Sequence, residues 1–360
     1  MLIFLFPTAR QLAAIRRRCG TTPYTVLTHP DVPSGPAEGE DLRDVTSTDV
    51  RALLHDPDAR LLCLHELAVY YLHREMPPGE TGFHPSCLTA VTKRAMADLL
   101  VAGGLTVTPK EPFSLRAAGG LDPEFPFVAK PDFGFASQLV CRIDDAEAWA
   151  RYLRTAADPA AWPLRARYGE AFYGSVPDLL DGFVMEPDLS ALDFLSVPYL
   201  FDGRTATALP VSGLNSQATA NTTFAWRGFR TPTGLGEEAL TELDGLLTKL
   251  STHLELRRGI YEVEALWGPA DGFRFLEFSP RPTGGLVPDL VQHAYGVDID
   301  DLAVAAFLGE PVSVNRPRPG TFLGLRREAE DEAPRGRVAV STVRRSATRV
   351  FVDEIIEVTP

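Results

Sequence analysis

Apolar and polar positions change their period along the chain, and those changes divide it. In the first third, short apolar runs take turns with helix-period stretches. Leu2–Phe6 reads as a strand, Gln11–Arg18 as a basic helix, Tyr24–Leu27 as a strand, Thr48–Leu54 as a helix and Arg60–Leu64 as a strand. Strand and helix in alternation predict an open parallel α/β sheet. Leu88, Val91, Ala95, Met96, Leu99 and Leu100 then follow helical spacing, with Lys93 and Arg94 on the polar side and Gly103-Gly104 as the stop. A Pro/Gly-rich connector from Pro109 to about Phe125 marks a domain join.

Beyond that join the pattern is mixed. Phe127–Lys130 and Gln138–Ile143 read as strands around the loop Pro131–Ser137, and Asp144-Asp145 caps a helix through about Thr155. The signals over Asp158–Pro177 predict no definite element. Gly182–Glu186, Phe194–Phe201 and Ala206–Leu209 read as strands, and Ser212–Thr223 as a polar loop. Glu237–Leu256 is amphipathic through Leu240, Leu243, Leu247, Leu250 and Leu254. Helices are predicted near Pro288–Tyr295 and Ile299–Leu308. The last fifty residues read as strands around a charged loop, a small terminal subdomain.

The segment YEVEALWGPADGFRFLEFSPRP, Tyr261 to Pro282, carries the strongest chemical signal. It reads as two strands joined by Pro269-Ala270-Asp271-Gly272, a hairpin turn. If Gly268 pairs with Phe273, Glu264 lies opposite Glu277 and Glu262 opposite Ser279. Side chains alternate along a strand, so these four share one face, and Val263, Ala265, Leu276 and Phe278 share the other. Like charges opposite each other repel. A cation between them reverses that penalty, and hard oxygen ligands suit magnesium. Arg281 follows Ser279 by two residues. Acid, acid, hydroxyl and arginine together point to a metal–phosphate site; the plainer alternative is a solvated acidic hairpin.

Composition narrows the partners. The 360 residues carry a net charge of -13, which argues against a broad nucleic-acid or anionic-membrane surface. MLIFLF is too short for a signal segment and reads as a buried strand. No window approaches the length of a membrane span. Four cysteines, at 19, 63, 87 and 141, show no paired spacing, which predicts a reduced, cytoplasmic protein. There is no GxxxxGK[ST], GxSxG or HExxH motif, and no GxGxxG after the first strand.

Lys93, Lys130 and Arg281 are the cations that can meet the acidic hairpin. Lys130 ends an apolar strand, where burial is costly without compensation; its partner is either a nucleotide phosphate or a nearby acid. The loop after it offers backbone donors and the Ser137 hydroxyl to phosphate. FVMEPDL ends a strand edge at Glu186, where side chain and main chain suit an adenine edge. Asp193, seven residues on, is placed to accept from ribose hydroxyls. Asn215, Asn221, Arg227 and Arg230 lie where a carboxylate could be clamped, or are solvated surface groups. His293 lines a pocket or a helix surface. His65-Glu66 closes a first-domain strand and faces a crevice between domains.

Lys93 on a helix, FPFVAKP, FVMEPDLSALDF, YEVEAL and FLEFSPRPTGG, in that order, resemble the ATP-grasp superfamily over roughly residues 85–310. The resemblance implies an N-terminal open parallel α/β domain (1–84), a small lobe with the phosphate loop (85–185) and a large lobe with the magnesium site (186–310). The terminal subdomain is then 311–360. It also implies ATP held between the lobes, with Lys93, Lys130 and Ser137 on its phosphates, Glu186 at the adenine and Asp193 near the ribose. Glu264, Glu277 and Ser279 then face one or two Mg2+ ions, and Arg281 the γ-phosphate or the activated substrate. Ser279 stands where the family usually has Asn, and Asp193 where Glu is commoner.

The implied reaction is carboxylate–amine ligation. An acyl phosphate forms, an amine displaces phosphate, and ADP is released. The implied substrates are a small-molecule carboxylate and an amine, both of the amino-acid class, and the resemblance also implies a homodimer through the first domain. Phe133–Ser137 and Ser212–Thr223 are the expected lids over the acyl phosphate. A carboxylase or purine-pathway ligase shares the nucleotide site, and a non-catalytic ATP sensor shares the lobes.

Overall fold

The computed structural model describes residues 1–29, 41–44, 58–75, 91–134, 139–158, 182–215, 226–314, 321–328, 337–345 and 350–358. Among these, the strands fall into three sheets. The first is parallel, in the order β3-β2-β1-β4, from β1 (Leu2–Leu5), β2 (Tyr24–Thr28), β3 (Asp41–Asp44) and β4 (Arg60–Cys63). Helix α1 (Ala9–Cys19) starts where Thr8 and Gln11 close a capping box, and α2 (Glu66–Glu75) follows β4. This is the open α/β sheet that the alternating pattern predicts. The helix expected near Thr48–Leu54 and the stretch 159–177 lie outside the described residues.

Helix α3 (Lys93–Ala102) begins later than its apolar spacing suggests, because the Thr92 side chain caps it by accepting from the Ala95 amide at 3.2 Å. The second sheet is antiparallel, in the order β5-β8-β6-β7: β5 (Glu111–Ser114), β6 (Phe127–Pro131), β7 (Cys141–Ile143) and β8 (Gly182–Pro187). Helix α4 (Ala146–Ala157), capped by Asp145, lays Trp149 and Tyr152 against Phe113, Phe127 and Phe183. The predicted connector thus contains an edge strand. Pro112 is tolerated there because β5, among the described residues, pairs on one side only.

The third sheet runs β14-β13-β9-β11-β12-β15-β17-β16, with β10 on β9. Its strands are β9 (Asp193–Phe201), β10 (Ala206–Ala208), β11 (Val211–Asn215), β12 (Trp226–Thr231), β13 (Gly259–Gly268) and β14 (Gly272–Ser279), followed by β15 (Thr321–Glu328), β16 (Arg337–Arg345) and β17 (Val350–Val358). Two expectations are corrected here. Part of the polar loop at Ser212 is strand β11, paired with β12 and β9. The C-terminal strands continue the large sheet through β12 and β15 and do not form a separate subdomain.

Helices cover both faces of this sheet. On one face, Leu243, Leu247 and Leu250 of α5 (Glu237–His253) and Met96 and Leu100 of α3 pack on Val197, Tyr199, Val263 and Phe275. On the other, α6 (Val287–Tyr295) and α7 (Ile299–Leu308) cover Leu200, Val211 and Ile260. Each such side chain, fully buried, contributes roughly 1.5–3 kcal/mol. No helix among the described residues is long and apolar enough to cross a membrane.

Helix α7 also anchors the first sheet. Val304 and Phe307 join the cluster around Phe4, Leu12 and Ile15, and Arg10, Arg17 and Arg18 of α1 pair with Asp300 and Asp301. Gln11 donates to the Leu64 carbonyl at 3.0 Å and to Asp300 Oδ1 at 3.2 Å. Burial pushes the Asp300 carboxyl up to about 6 against the pull of Arg10. Because the folded-state value is raised, the stability linked to its proton is present at low pH and lost as pH rises through about 6. Arg10→Ala should therefore cost more at pH 8, about 2 kcal/mol given that Arg10 is partly exposed, than at pH 5, where Asp300 takes up a proton. Chemical denaturation at both values checks this; equal losses would assign Arg10 a packing role only.

Candidate active site

The hairpin β13–β14 brings its acids together by a route other than the simple ladder. At the turn Gly268 pairs with Gly272, not Phe273, and Gly272 takes the left-handed conformation at φ 66°. A bulge then intervenes: Ala265 pairs with Phe275, Glu264 with Glu277 and Glu262 with Ser279. Leu276 is the extra residue, and it is only half-buried; Phe275 takes the core position expected for it. The carboxylate register expected from the sequence is thus reached with a shorter turn and one surplus residue.

The neighbouring acids are paired with cations. Arg281 Nε donates to Glu66 Oε2, and its Nη1 donates to Glu262 Oε2 at 3.0 Å and to the Pro282 carbonyl at 2.8 Å. Glu262 also accepts from Ser196 Oγ at 2.8 Å and Thr283 Oγ1 at 2.6 Å. Burial works against the Arg281 charge, but Glu66 and Glu262 outweigh it and hold the guanidinium above its ordinary value. Glu186 lies between Lys130, at 2.7 Å, and Lys110. Burial would lift its pKa, yet Lys130 and Lys110 together hold it down.

Glu264 and Glu277 differ. Among the described residues neither makes an ion pair. Burial first, then Glu277 and Glu262, push Glu264 up to about 8. Burial likewise lifts Glu277, against the pull of Lys93. Lys93 Nζ donates to the carbonyl of Gly134 at 2.9 Å, and Gly134 holds φ at 137°. Burial lowers the Lys93 pKa despite Glu277. A cleft here is walled by Glu66 and Tyr70 of α2, Lys93, Gly134 and Glu277. Phe133 closes on Tyr70, ring centroids 4.7 Å apart. Among the described residues no group of three or more His, Cys, Asp or Glu is gathered for a metal; the acidic pair with a serine neighbour is the whole set.

The remaining predicted residues are spread more widely. Asp193 starts β9 opposite Trp267 and is exposed. Asn215 ends β11 and Arg227 lies near the start of β12. Arg230 pairs with Ser212 and shares its face with Leu195, the face opposite Glu264. His293 is half-buried in the last turn of α6 and is not a wall of the cleft. Ser137 and Asn221 lie outside the described residues. Sequence reasoning missed Lys110, Ser196, Thr283 and Asp132, which accepts from the Arg94 amide at 2.9 Å and side chain at 2.7 Å. Thr283, two residues past Arg281, was the one within reach of the motif.

No family model matches the chain, and no curated protein matches it. Solved structures do. An L-amino acid ligase from Bacillus licheniformis is 14% identical with a TM-score of 0.68, over 99% of this chain and 93% of that one. A carboxyaminoimidazole ribonucleotide synthase from Aspergillus clavatus, complexed with ATP, is 11% identical with a TM-score of 0.67, over 99% and 93%. The biotin carboxylase domain of the Hydrogenobacter thermophilus 2-oxoglutarate carboxylase, in complex with MgADP, ADP and bicarbonate, is 12% identical with a TM-score of 0.62, over 99% and 86%. The fold is the ATP-grasp fold, a parallel α/β unit followed by two α+β lobes.

The unpaired glutamates set a pH dependence. A folded-state value raised to about 8 means that stability linked to the Glu264 proton is present at low pH and lost as pH rises through about 8. In a chelator-containing buffer the melting temperature should fall between pH 6 and pH 9, and Glu264→Gln should flatten that fall. Parallel slopes for the two proteins would show that Glu264 is not the titrating group.

Proposed function

We propose that the protein is an ATP-dependent, ADP-forming ligase that joins a carboxylic acid to an amine, with amino acids as the two substrates. The observation that carries this reading is the facing pair Glu264 and Glu277. Both are carboxylates without an ion pair beside Lys93, Lys130 and Arg281, while Glu66, Glu186 and Glu262, among the described residues, are each paired with a cation. That donor set fits a hard divalent cation. Glu264, Glu277 and the Ser279 hydroxyl are the residues that would hold Mg2+, which supplies fixed positive charge for the ATP phosphates. The bound ATP and MgADP of two proteins with this fold support ATP and Mg2+ as cofactors.

The chemistry follows from what a carboxylate lacks. Its oxide is a poor leaving group, so an amine cannot displace it directly. A carboxylate oxygen attacks the γ-phosphorus of ATP, ADP departs, and an acyl phosphate results. The amine then attacks the acyl carbon and phosphate leaves. The first step brings anion to anion, and Lys93, Lys130 and Arg281 offset the charge as it moves. Glu186 and Asp193 are the residues for adenine and ribose. Arg281 is held between Glu262 and Glu66, and Glu66 is itself a wall of the cleft, the side on which an acid substrate would enter.

Incubation with ATP, Mg2+ and amino-acid pools should release ADP and phosphate only when a suitable pair is present. AMP and pyrophosphate would overturn the mechanism. Glu277→Gln should lower turnover at least about a hundredfold with an unchanged circular dichroism spectrum; near-normal activity would remove Glu277 from the metal site.

A further inference from the structure

One buried cation has no part in that reading. Lys110 leads into β5, and its side chain is only 2% exposed. Extending the β5–β8 register by one residue beyond Glu111 and Met185 sets Lys110 opposite Glu186. Lys130 reaches the same glutamate from β6, on the other side of β8, where Val128 is the direct partner of Glu186 and Lys130 the diagonal one. Both ammonium groups meet one carboxylate oxygen, Oε1: Lys110 by a hydrogen bond, Lys130 at 2.7 Å. Burial, then the nearby Lys130, draw the Lys110 pKa down to about 8. Such a residue is costly to keep, and the ATP-grasp resemblance assigns it nothing.

The sharing of one oxygen has a consequence for nucleotide capture. Lys130 has to loosen its hold on Glu186 to face phosphate. A buried carboxylate stripped of its only cation is strongly unfavourable. We propose that Lys110 is a positioning residue for ATP capture, which keeps Glu186 paired while Lys130 turns to the phosphates. Lys110 itself touches no nucleotide; it lowers the cost of releasing Lys130. This inference rests on the proposed phosphate role of Lys130.

Titration calorimetry with MgATP on the full chain tests it through a double-mutant cycle. Lys110→Met should weaken MgATP binding at least about tenfold, a change of 1.4 kcal/mol. In the E186Q background, where no buried anion remains to be neutralised, the same replacement should change affinity by no more than about twofold. Lys110→Arg, which keeps the charge, should bind MgATP within about twofold of the unaltered protein, without the loss expected for Lys110→Met. Equal losses in both backgrounds would overturn the proposal, as would no loss in either. If circular dichroism shows K110M unfolded, Lys110→Gln is carried through the same cycle with the same outcomes. Lys130→Ala separates the two layers: unchanged affinity there sinks the phosphate role of Lys130, whereas weakened binding there with normal binding in K110M sinks only the role of Lys110.

Discussion

Two carboxylates on adjacent strands repel, and the charges around Glu264 and Glu277 are arranged about that repulsion. Glu66 and Glu262 share Arg281, Glu186 shares two lysines, and Asp132 takes Arg94. The facing pair is left to burial, which lifts both pKa values. A structural ion network would have closed this gap with a lysine or arginine. An opening for a cation of higher charge is the simplest account of why it stays open.

The candidate site draws on all three sheets. The large sheet supplies the acids and Arg281, the small sheet supplies Lys130 and Glu186, and the parallel sheet supplies Glu66 at the start of α2. The same face of the large sheet that carries Glu262 and Glu264 at one end carries Ile260 under α6 and α7 at the other. Those helices also hold α1 of the first unit, α6 through Asp289 and α7 through Asp300 and Asp301. Position of Glu66 and integrity of the apolar core are therefore linked through one pair of helices.

Much of this was legible from residue order. Period-two and period-3.6 patterns located most elements, and the expected pairing of Glu264 with Glu277 is present, though a shorter turn and a surplus Leu276 produce it rather than the predicted turn. What escaped was tertiary. The bulge at Leu276 was hidden because an alternating run does not say which residue is surplus. Strand β5 was hidden because Pro112 and the surrounding glycines read as a break. Lys110 was invisible because its partner, Glu186, lies 76 positions away. Arg230 looked like a loop residue until pairing with β15 placed it in a strand.

The bulge has an effect beyond alignment of the acids. Strand β14 is a border of the large sheet, and a straight, unpaired border invites another chain to add itself. Here the Phe275 amide donates to the Thr106 carbonyl at 2.8 Å, and the Thr108 amide donates to the Phe275 carbonyl at 3.3 Å. The kink at Leu276 then bends the rest of the border out of line. The device that aligns a reactive pair thereby also blunts a template for aggregation, so straightening it would trade solubility as well as chemistry.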